Sequence, residues 1–270
     1  MFLSYEYFTN KLSQKFIVGD DFYVKLLETV IDNPNRYTGI FRISSAKTKL
    51  LQNITQSNEI KFGDFMEDIV TDYIGKLGYK NLTKNIGADE NGDILNTDQL
   101  FLDSENILYL IEQKIRDDHD STKKRGQFQN FIKKVKLLKR QHPDKPLIGV
   151  MWFIDDGLIK NKNYYLGEME SYHQQGVTLK LYYGGELFSD LLGNIHAWNE
   201  LVGYLEKNKV ERSNELLHIP DFDTSEEILN ALKKISPSHK RKLFSDRPQY
   251  VQLRKELFPN NINLQKIKDK

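Results

Sequence analysis

Three charged residues close together in the chain have the types and spacing of a metal-binding site. Asp98 comes first, and Glu112 and Lys114 follow, with thirteen residues between the two acids. Glu112 and Lys114 lie in an otherwise apolar run, where a carboxylate and an ammonium are unfavourable unless something stabilises them. A divalent metal held by Asp98 and Glu112, with Lys114 beside it, would supply that stabilisation.

Two strands joined by a tight turn would position these residues. The turn is predicted at DSEN, residues 103–106, because such residues hydrogen-bond their own backbone. The second strand is ILYLIEQKI, residues 107–115. Strand side chains alternate between faces, so Glu112 and Lys114 point the same way as Leu108 and Leu110. The charges therefore lie on the core-facing side, at the end of the hairpin that carries Asp98.

Other residues compete for these roles. Asp93 and Asp103 are rivals to Asp98 for the first acid, but both lie in turn-like clusters, where aspartate is expected for backbone reasons. A second Glu-x-Lys triplet, residues 59–61, lies in a polar stretch with no acid-bearing strand before it, which indicates solvated charge. For the triplet that begins at Glu112, the plainer alternative is a strand-end ion pair, which contributes little to stability.

The composition is that of an ordinary globular protein. Of the 270 residues 39% are hydrophobic and 29% charged, with a net charge of +1 and no cysteine. The missing cysteines exclude disulfides, thiol catalysis and cysteine-ligated zinc, and together with the absence of a secretion signal or a long apolar run they favour the cytoplasm. The charge is uneven, because residues 121–142 contain eight Lys or Arg and no acid.

The N-terminal half mixes helices and short strands. A helix is predicted over residues 22–31, and TGIFRIS, residues 38–44, predicts a short strand. A further helix is predicted to begin near Gly63, because the apolar residues that follow form one stripe. Glu67 lies at the edge of that stripe, where a solvated helical acid is the plainer interpretation.

The elements after the hairpin complete a layered fold. Residues 126–140 predict a helix with one apolar face and one basic face, the basic face made of Lys133, Lys134, Lys136, Lys139 and Arg140. LIGVMWFID and GVTLKLYYGG predict two strands, and residues 186–207 return to helical periodicity with a break at Gly193-Asn194. This order predicts an α/β fold with a central mixed β-sheet flanked by helices, and a mostly helical C-terminal extension.

The spacing of these charged residues resembles the motif of a known family. Asp98, the thirteen intervening residues and Glu112-Gln113-Lys114 resemble the motif of the PD-(D/E)xK nucleases, over roughly Lys61 to Phe188. The proline that often precedes the first acid is replaced by Thr97. Size and basic extension make the chain most similar to a type II restriction endonuclease. The resemblance implies three segments: 1–60 packed on the core, a nuclease core over 61–207, and a basic helical extension over 208–270 for DNA recognition or dimerisation.

The resemblance also implies roles for named residues. Asp98, Glu112 and the main-chain carbonyl of Gln113 would hold Mg²⁺, an ion that prefers oxygen ligands. Lys114 would orient or deprotonate the attacking water, and Glu67, four residues after Gly63, would support the metal from the first core helix. The products would carry a 5′-phosphate and a 3′-hydroxyl.

DNA contacts are expected next to this site. Basic residues at the start of the following helix could contact the DNA backbone. The expected DNA-binding residues are Lys123, Lys124, Arg125, Gln127 and Lys133, with Gln129 an alternative to Gln127 for the glutamine that some family members carry on this helix. Asp117 to Asp120, which include His119, are interpreted as a polar loop. Base-reading candidates include Asn53 and Gln56 near the N-terminus and several Arg and Gln residues in the tail.

Partners follow from the implied function. A restriction enzyme acts on double-stranded DNA in the bacterial cytoplasm, beside a cognate DNA methyltransferase, and a palindromic target favours a homodimer. No membrane association is expected. Two alternatives stay open: a repair or junction-resolving nuclease of the same fold, and a DNA-binding protein without catalysis. Repair and junction-resolving nucleases are commonly smaller than this chain, which argues against the first alternative. A non-catalytic protein would have no need to keep Asp98, Glu112 and Lys114 together, which argues against the second.

Overall fold

The computed structural model describes residues 1–16, 20–115, 121–212 and 220–268. The chain forms two compact units, and we call residues 1–9 with 63–207 the first unit and residues 10–62 with 208–270 the second unit. Most of the N-terminal segment and the C-terminal extension therefore belong to the same unit. None of the helices in the described ranges is both long and apolar enough to cross a membrane.

The first unit is built on a five-stranded mixed sheet, as predicted. Its strands lie in the order β1 (Lys80–Asn81), β4 (Gln99–Leu102), β5 (Leu108–Lys114), β6 (Leu147–Phe153) and β7 (Val177–Tyr183). The pairs β1/β4 and β4/β5 are antiparallel, whereas β5/β6 and β6/β7 are parallel. A separate two-stranded sheet pairs β2 (Asn85–Ala88) with β3 (Ile94–Asn96).

Helices cover both faces of this sheet. In the first unit they are the second half of α4 (Ala46–Lys76), α5 (Ser121–Gln141), α6 (Lys162–Glu170) and α7 (Ile195–Arg212), with a π-helical turn at Leu187–Leu191. A Cβ atom at Gly149 of β6 would lie 3.1 Å from the side chains of Phe131 and Val135, so α5 packs closely on the sheet. On the other face, the rings of Trp152 in β6 and Trp198 in α7 are 6.0 Å apart.

The second unit is helical. Besides the first half of α4 it contains α2 (Asp20–Asp32), α3 (Pro34–Thr38), α8 (Glu226–Lys234), α9 (Pro237–Leu243), α10 (Pro248–Leu257) and α11 (Ile262–Lys268), while α1 (Tyr5–Lys15) has residues in both units. Its core joins Leu27 and Val30 of α2 to Ile228 and Leu232 of α8, so the two ends of the chain share one core. The predicted helical C-terminal extension is confirmed.

Two local predictions near the N-terminus are wrong. The helix expected to begin near Gly63 begins at Ala46, because the polar residues before Gly63 continue the helix. Segment 38–44 contains no strand, and its apolar side chains Ile40, Phe41 and Ile43 are 89%, 95% and 107% exposed. Residues of this kind favour strands only where a neighbouring strand and a buried face accept them, and the described residues provide neither for this segment.

Candidate active site

The β4–β5 hairpin brings Asp98 to the end of β5. Asp98 immediately precedes β4, whose first residue, Gln99, pairs with Ile111. The backbone N–H of Gln113 donates a hydrogen bond of 2.6 Å to Asp98 Oδ2. The first acid is therefore fixed against the central residue of the Glu112-Gln113-Lys114 triplet.

The rival acids lie in turns. Asp103 closes the β4–β5 turn, where its Oδ1 accepts from the backbone N–H groups of Glu105 at 3.0 Å and Ile107 at 2.9 Å. Asp93 lies in the β2–β3 turn, and its backbone N–H donates to Asp89 Oδ1 at 3.0 Å. Asp103 thus stabilises its turn with its own side chain, as its turn-like sequence predicts, whereas in the β2–β3 turn that role belongs to Asp89.

Glu112 is a buried carboxylate with a lysine on each oxygen. Its side chain faces α5, and the residue is 5% exposed. Lys114 Nζ lies 2.8 Å from Oε1, and Lys134 Nζ lies 2.6 Å from Oε2. A buried carboxylate requires compensation of this kind, because loss of hydration is costly unless charge and hydrogen-bond partners replace water.

Lys134 is a site residue that the sequence analysis missed. It was placed on the basic, solvent-facing side of α5, but it is 5% exposed and contacts Glu112 instead. The helical spacing contained the signal, since Lys134 is three residues after Phe131 and four before Leu138, both on the buried face. The stripe of apolar residues on α5 therefore includes one internal charge.

The acids of the site have different protonation tendencies. Burial, followed by the charge of Glu112, raises the pKa of Asp98 to about 7, although Lys114 opposes this shift. Burial also acts to raise the pKa of Glu112, but Lys114 and Lys134 outweigh it and hold that pKa below its usual value. Burial acts to lower the pKa of Lys114, yet Glu112 and Asp98 outweigh it and raise that pKa. Glu112 and Lys114 are thus a stable ion pair, whereas for Asp98 the compensation by Lys114 and the Gln113 N–H is weaker than the effect of burial and of Glu112.

Glu67 approaches the same site from α4. Its negative charge acts to raise the pKa of Asp98 and that of Lys114. Its carboxylate Oε2 lies 3.6 Å from Lys84 Nζ. Burial raises the pKa of Glu67, while Lys84 opposes the shift. The side-chain amide of Gln99 donates to the Glu67 main-chain carbonyl at 2.7 Å, which links α4 to β4. Lys84 is a second contact that the sequence analysis did not anticipate.

The oxygen atoms of this site fit a hard divalent cation. Glu112 lies on β5 and Asp98 directly before β4, and the raised pKa of Asp98 reflects burial and then the charge of Glu112, both of which a bound cation would offset. No group of three or more His, Asp or Glu side chains in the described ranges is arranged to hold a metal ion by itself. Mg²⁺ is commonly held by one or two carboxylates together with substrate phosphates and water, which matches a site of two acids.

The predicted DNA-binding residues all lie on α5, four of them in its first two turns and Lys133 near its middle. Lys124 Nζ lies 4.6 Å from the centre of the Tyr164 ring, and the hydroxyl of Tyr165 donates to Gln127 Oε1 at 2.8 Å. Lys133 Nζ lies 3.4 Å from Asp89 Oδ2, whereas Lys123 and Arg125 are exposed. Gln127 and Lys124 are thus held by α6 and the residues beside it.

The predicted polar loop connects β5 to α5. The acidic segment Asp117 to Asp120, with His119, lies outside the described residues. Lys114 at the end of β5 and Lys123 near the start of α5 are described, and they lie on either side of it.

A comparison with family models connects this geometry to known proteins. The model of the family described as "Type II restriction endonuclease, HinfI" matches residues 6–97 and 81–209. These ranges contain Asp98, the Glu112-Gln113-Lys114 triplet, Glu67 and the whole of the mixed sheet. No curated protein matches the sequence.

Proposed function

Because the chain belongs to the HinfI family of type II restriction endonucleases, its reaction is hydrolysis of DNA at specific sites, and we propose that Asp98, Glu112 and Lys114 carry that reaction. The observation that supports this assignment is the 2.6 Å hydrogen bond from the Gln113 backbone to Asp98, which joins the first acid to the triplet. The double-stranded DNA would be cut in a Mg²⁺-dependent reaction that leaves 5′-phosphates.

The proposed metal ligands are Asp98, Glu112 and the main-chain carbonyl of Gln113. Glu67 would support the site from α4, directly or through water. Mg²⁺, when bound, would offset the charge of the scissile phosphate and help to convert water to hydroxide. Lys84 partly offsets the negative charge of Glu67. The repulsion between Glu67 and the other two acids, Asp98 and Glu112, is therefore reduced.

Lys114 would act as a cation. Its pKa is raised by Glu112 and Asp98, against the effect of burial, so the ammonium is charged at neutral pH. A charged ammonium can donate to the attacking water and to a phosphate oxygen, and it stabilises the charge that develops on the phosphate. Lys134 would hold Glu112 in position from the opposite oxygen and is a positioning residue.

Contacts to the DNA backbone would come from α5. Lys123, Lys124, Arg125, Gln127 and Lys133 follow the triplet in sequence, and phosphate contacts of this kind position a duplex without reading its sequence. We further propose a homodimer, which suits a palindromic site, and a functional pairing with a DNA methyltransferase in the bacterial cytoplasm.

A cleavage assay tests the proposal. Purified protein would be incubated with unmethylated plasmid and phage DNA, with Mg²⁺ or with EDTA. We expect discrete fragments with Mg²⁺, none with EDTA and none from Lys114→Ala. Lys136→Ala, which changes an exposed lysine of α5, is the matched control and should cut normally. End-labelling of the fragments would identify the 5′-phosphates and the recognition site.

The other outcomes of the assay separate the alternatives. Smeared products, or relaxation of the plasmid alone, would favour a repair nuclease or nickase of the same fold. Intact DNA that is nevertheless bound would contradict the catalytic assignment. Full activity in Lys114→Ala would remove that residue from the site.

A further inference from the structure

The second unit contains a cavity whose lining is cationic. It has a volume of about 570 Å³ and lies between α2, α3 and the first half of α4, which is within the range of about 300–1,000 Å³ typical of small-molecule sites. The cations that line it are Lys25, Arg36 and Lys61. None of the described residues lining the cavity is acidic.

Among the described residues these cations have no acidic partner. Within the described ranges, no carboxylate lies within salt-bridge distance of Lys25, Arg36 or Lys61. Partial burial, followed by the charge of Lys25, lowers the pKa of Lys61, so these two ammonium groups repel each other. Uncompensated like charges around a partly enclosed space are unfavourable, and an anion bound there would relieve that cost.

The rest of the cavity wall suits a planar, partly apolar group. Phe22, Leu26, Ile54 and Ile60 provide apolar surface, and Tyr37 is buried beside them. Asn53 donates through Nδ2 to the Tyr37 hydroxyl at 2.8 Å. Its other side-chain atom, Oδ1, is buried and has no hydrogen-bond partner among the described residues. A buried acceptor without a partner is costly and indicates a missing donor.

From these contacts we propose that the cavity binds one unstacked nucleotide of DNA. Its phosphate would contact Lys25, Arg36 and Lys61, and its base would lie against Phe22. Asn53 Oδ1 is enclosed in this structure, so a rotation of the Asn53 side chain would let it accept an N–H of the base. Phosphate charge, an aromatic wall and an amide acceptor together match a nucleotide better than they match inorganic phosphate. The proposal rests on the proposed function only in taking the nucleotide from DNA.

A neighbouring loop favours DNA over a free nucleotide as the source. The turn after α3 begins two residues beyond Tyr37, and it exposes Ile40, Phe41 and Ile43 almost completely. Arg42, between them, is also exposed. Proteins that unstack DNA commonly insert Phe or Ile side chains between base steps, and a cation beside such side chains contacts the phosphates. A free nucleotide would need no such loop.

Binding measured in EDTA tests the proposal without cleavage. A labelled duplex with one unpaired nucleotide would be compared with the same duplex fully paired, by fluorescence anisotropy. Unstacking a paired base costs a few kcal/mol, so we expect the bulged duplex to bind roughly tenfold or more tightly. Arg36→Ala and Lys61→Ala should remove this preference. Lys49→Ala, on the same helix but outside the cavity, should retain it.

Asn53→Leu separates base recognition from phosphate binding. It keeps the side-chain size but removes the free acceptor together with the Nδ2 hydrogen bond to Tyr37. The bulged duplex should still bind better than the paired one, while discrimination among the four unpaired bases is lost. Titrations with dAMP, dTMP and inorganic phosphate would compare the affinity of the cavity for a whole nucleotide with its affinity for phosphate alone. We expect the nucleotides to bind more tightly than phosphate.

Each contrary result would overturn the proposal. Equal affinity for bulged and paired duplexes would exclude an unstacked nucleotide. An equal loss on both duplexes in Arg36→Ala and Lys61→Ala would indicate ordinary backbone contacts. Binding of dAMP without a bulge preference would identify a free nucleotide as the ligand. A protein that shows the bulge preference but does not cut plasmid would contradict the proposed function and leave the cavity assignment intact.

Discussion

Lys134 in the first unit and Lys61 in the second unit are helical lysines removed from water to different degrees, and only Lys134 has an acidic partner among the described residues. Lys134 is 5% exposed and lies 2.6 Å from Glu112. Lys61 is half-buried at a cavity with two other cations. A paired internal charge keeps its geometry without a ligand, whereas a partly exposed cation without an acidic partner is compensated by water and dissolved ions until an anionic ligand binds. The first arrangement suits a reaction centre and the second a binding site.

Removing Glu112 should have the largest effect. Glu112→Ala leaves Lys114 and Lys134 without their carboxylate, and breaking a buried ion pair in this way costs about 3–5 kcal/mol. We expect the free energy of unfolding to fall by about that amount in urea titrations, and cleavage to fall by at least about 10²–10³-fold. Glu90→Ala is the control, because Glu90 is exposed and pairs with Arg140 at the surface. A variant as stable as the wild type would contradict the paired-charge description.

The pH dependence of stability tests Asp98. Its pKa of about 7 in the folded protein exceeds the usual value near 3.8, so the folded state holds a proton that the unfolded chain has released. Asp98 thus stabilises the fold below about pH 4 relative to neutral pH, and this contribution is lost as pH rises towards 7, by up to about 4 kcal/mol. Denaturation in EDTA at pH 5 and pH 8 should show about 3 kcal/mol of this difference in the wild type, and a smaller difference in Asp98→Asn.

Lys134→Met should have an intermediate effect. It removes one of the two cations on Glu112 but keeps the length of the side chain, and Lys114 still compensates the carboxylate. We expect a loss of about 1–3 kcal/mol in unfolding free energy. We also expect roughly tenfold slower cleavage with little change in DNA affinity, because the residue positions Glu112 and does not contact DNA. Lys136→Met, an exposed neighbour, should leave both quantities unchanged.

Lys61→Met should have the smallest effect on stability, with the opposite sign. Removing one of several unpaired cations relieves repulsion, which after solvent screening is worth a few tenths of a kcal/mol. We expect slightly higher stability together with weaker DNA binding and a shallower dependence of affinity on salt. Lys61 Nζ lies 5.9 Å from the centre of the Phe16 ring. A clear loss of stability would indicate that this contact outweighs the repulsion, and the contrast with Lys134 would then fail.

Local sequence was sufficient to predict the hairpin and the acids on it. The turn residues at 103–106 and the alternation in ILYLIEQKI placed Glu112 and Lys114 on one face, and the hairpin places Asp98 beside Gln113. The start of α4 was predicted too late because most of its first half is polar. The signal there was weak, although Ala46, Leu50 and Ile54 recur every four residues and are buried. The exposed segment 38–44 was mistaken for a strand because propensity does not reveal whether a partner strand exists.

The sequence by itself determined the α/β class, the hairpin and the reactive residue types, because these depend on spacing within one segment. Only the tertiary structure decided which distant charges meet. It brought Lys134 to Glu112 across 22 positions and Lys84 to Glu67. It also grouped residues 10–62 with 208–270 in one unit, and it placed Lys25, Arg36 and Lys61 around one cavity. The physical reason is that a charge is stabilised by whatever group the fold places within a few ångströms of it, and that group need not be near in sequence.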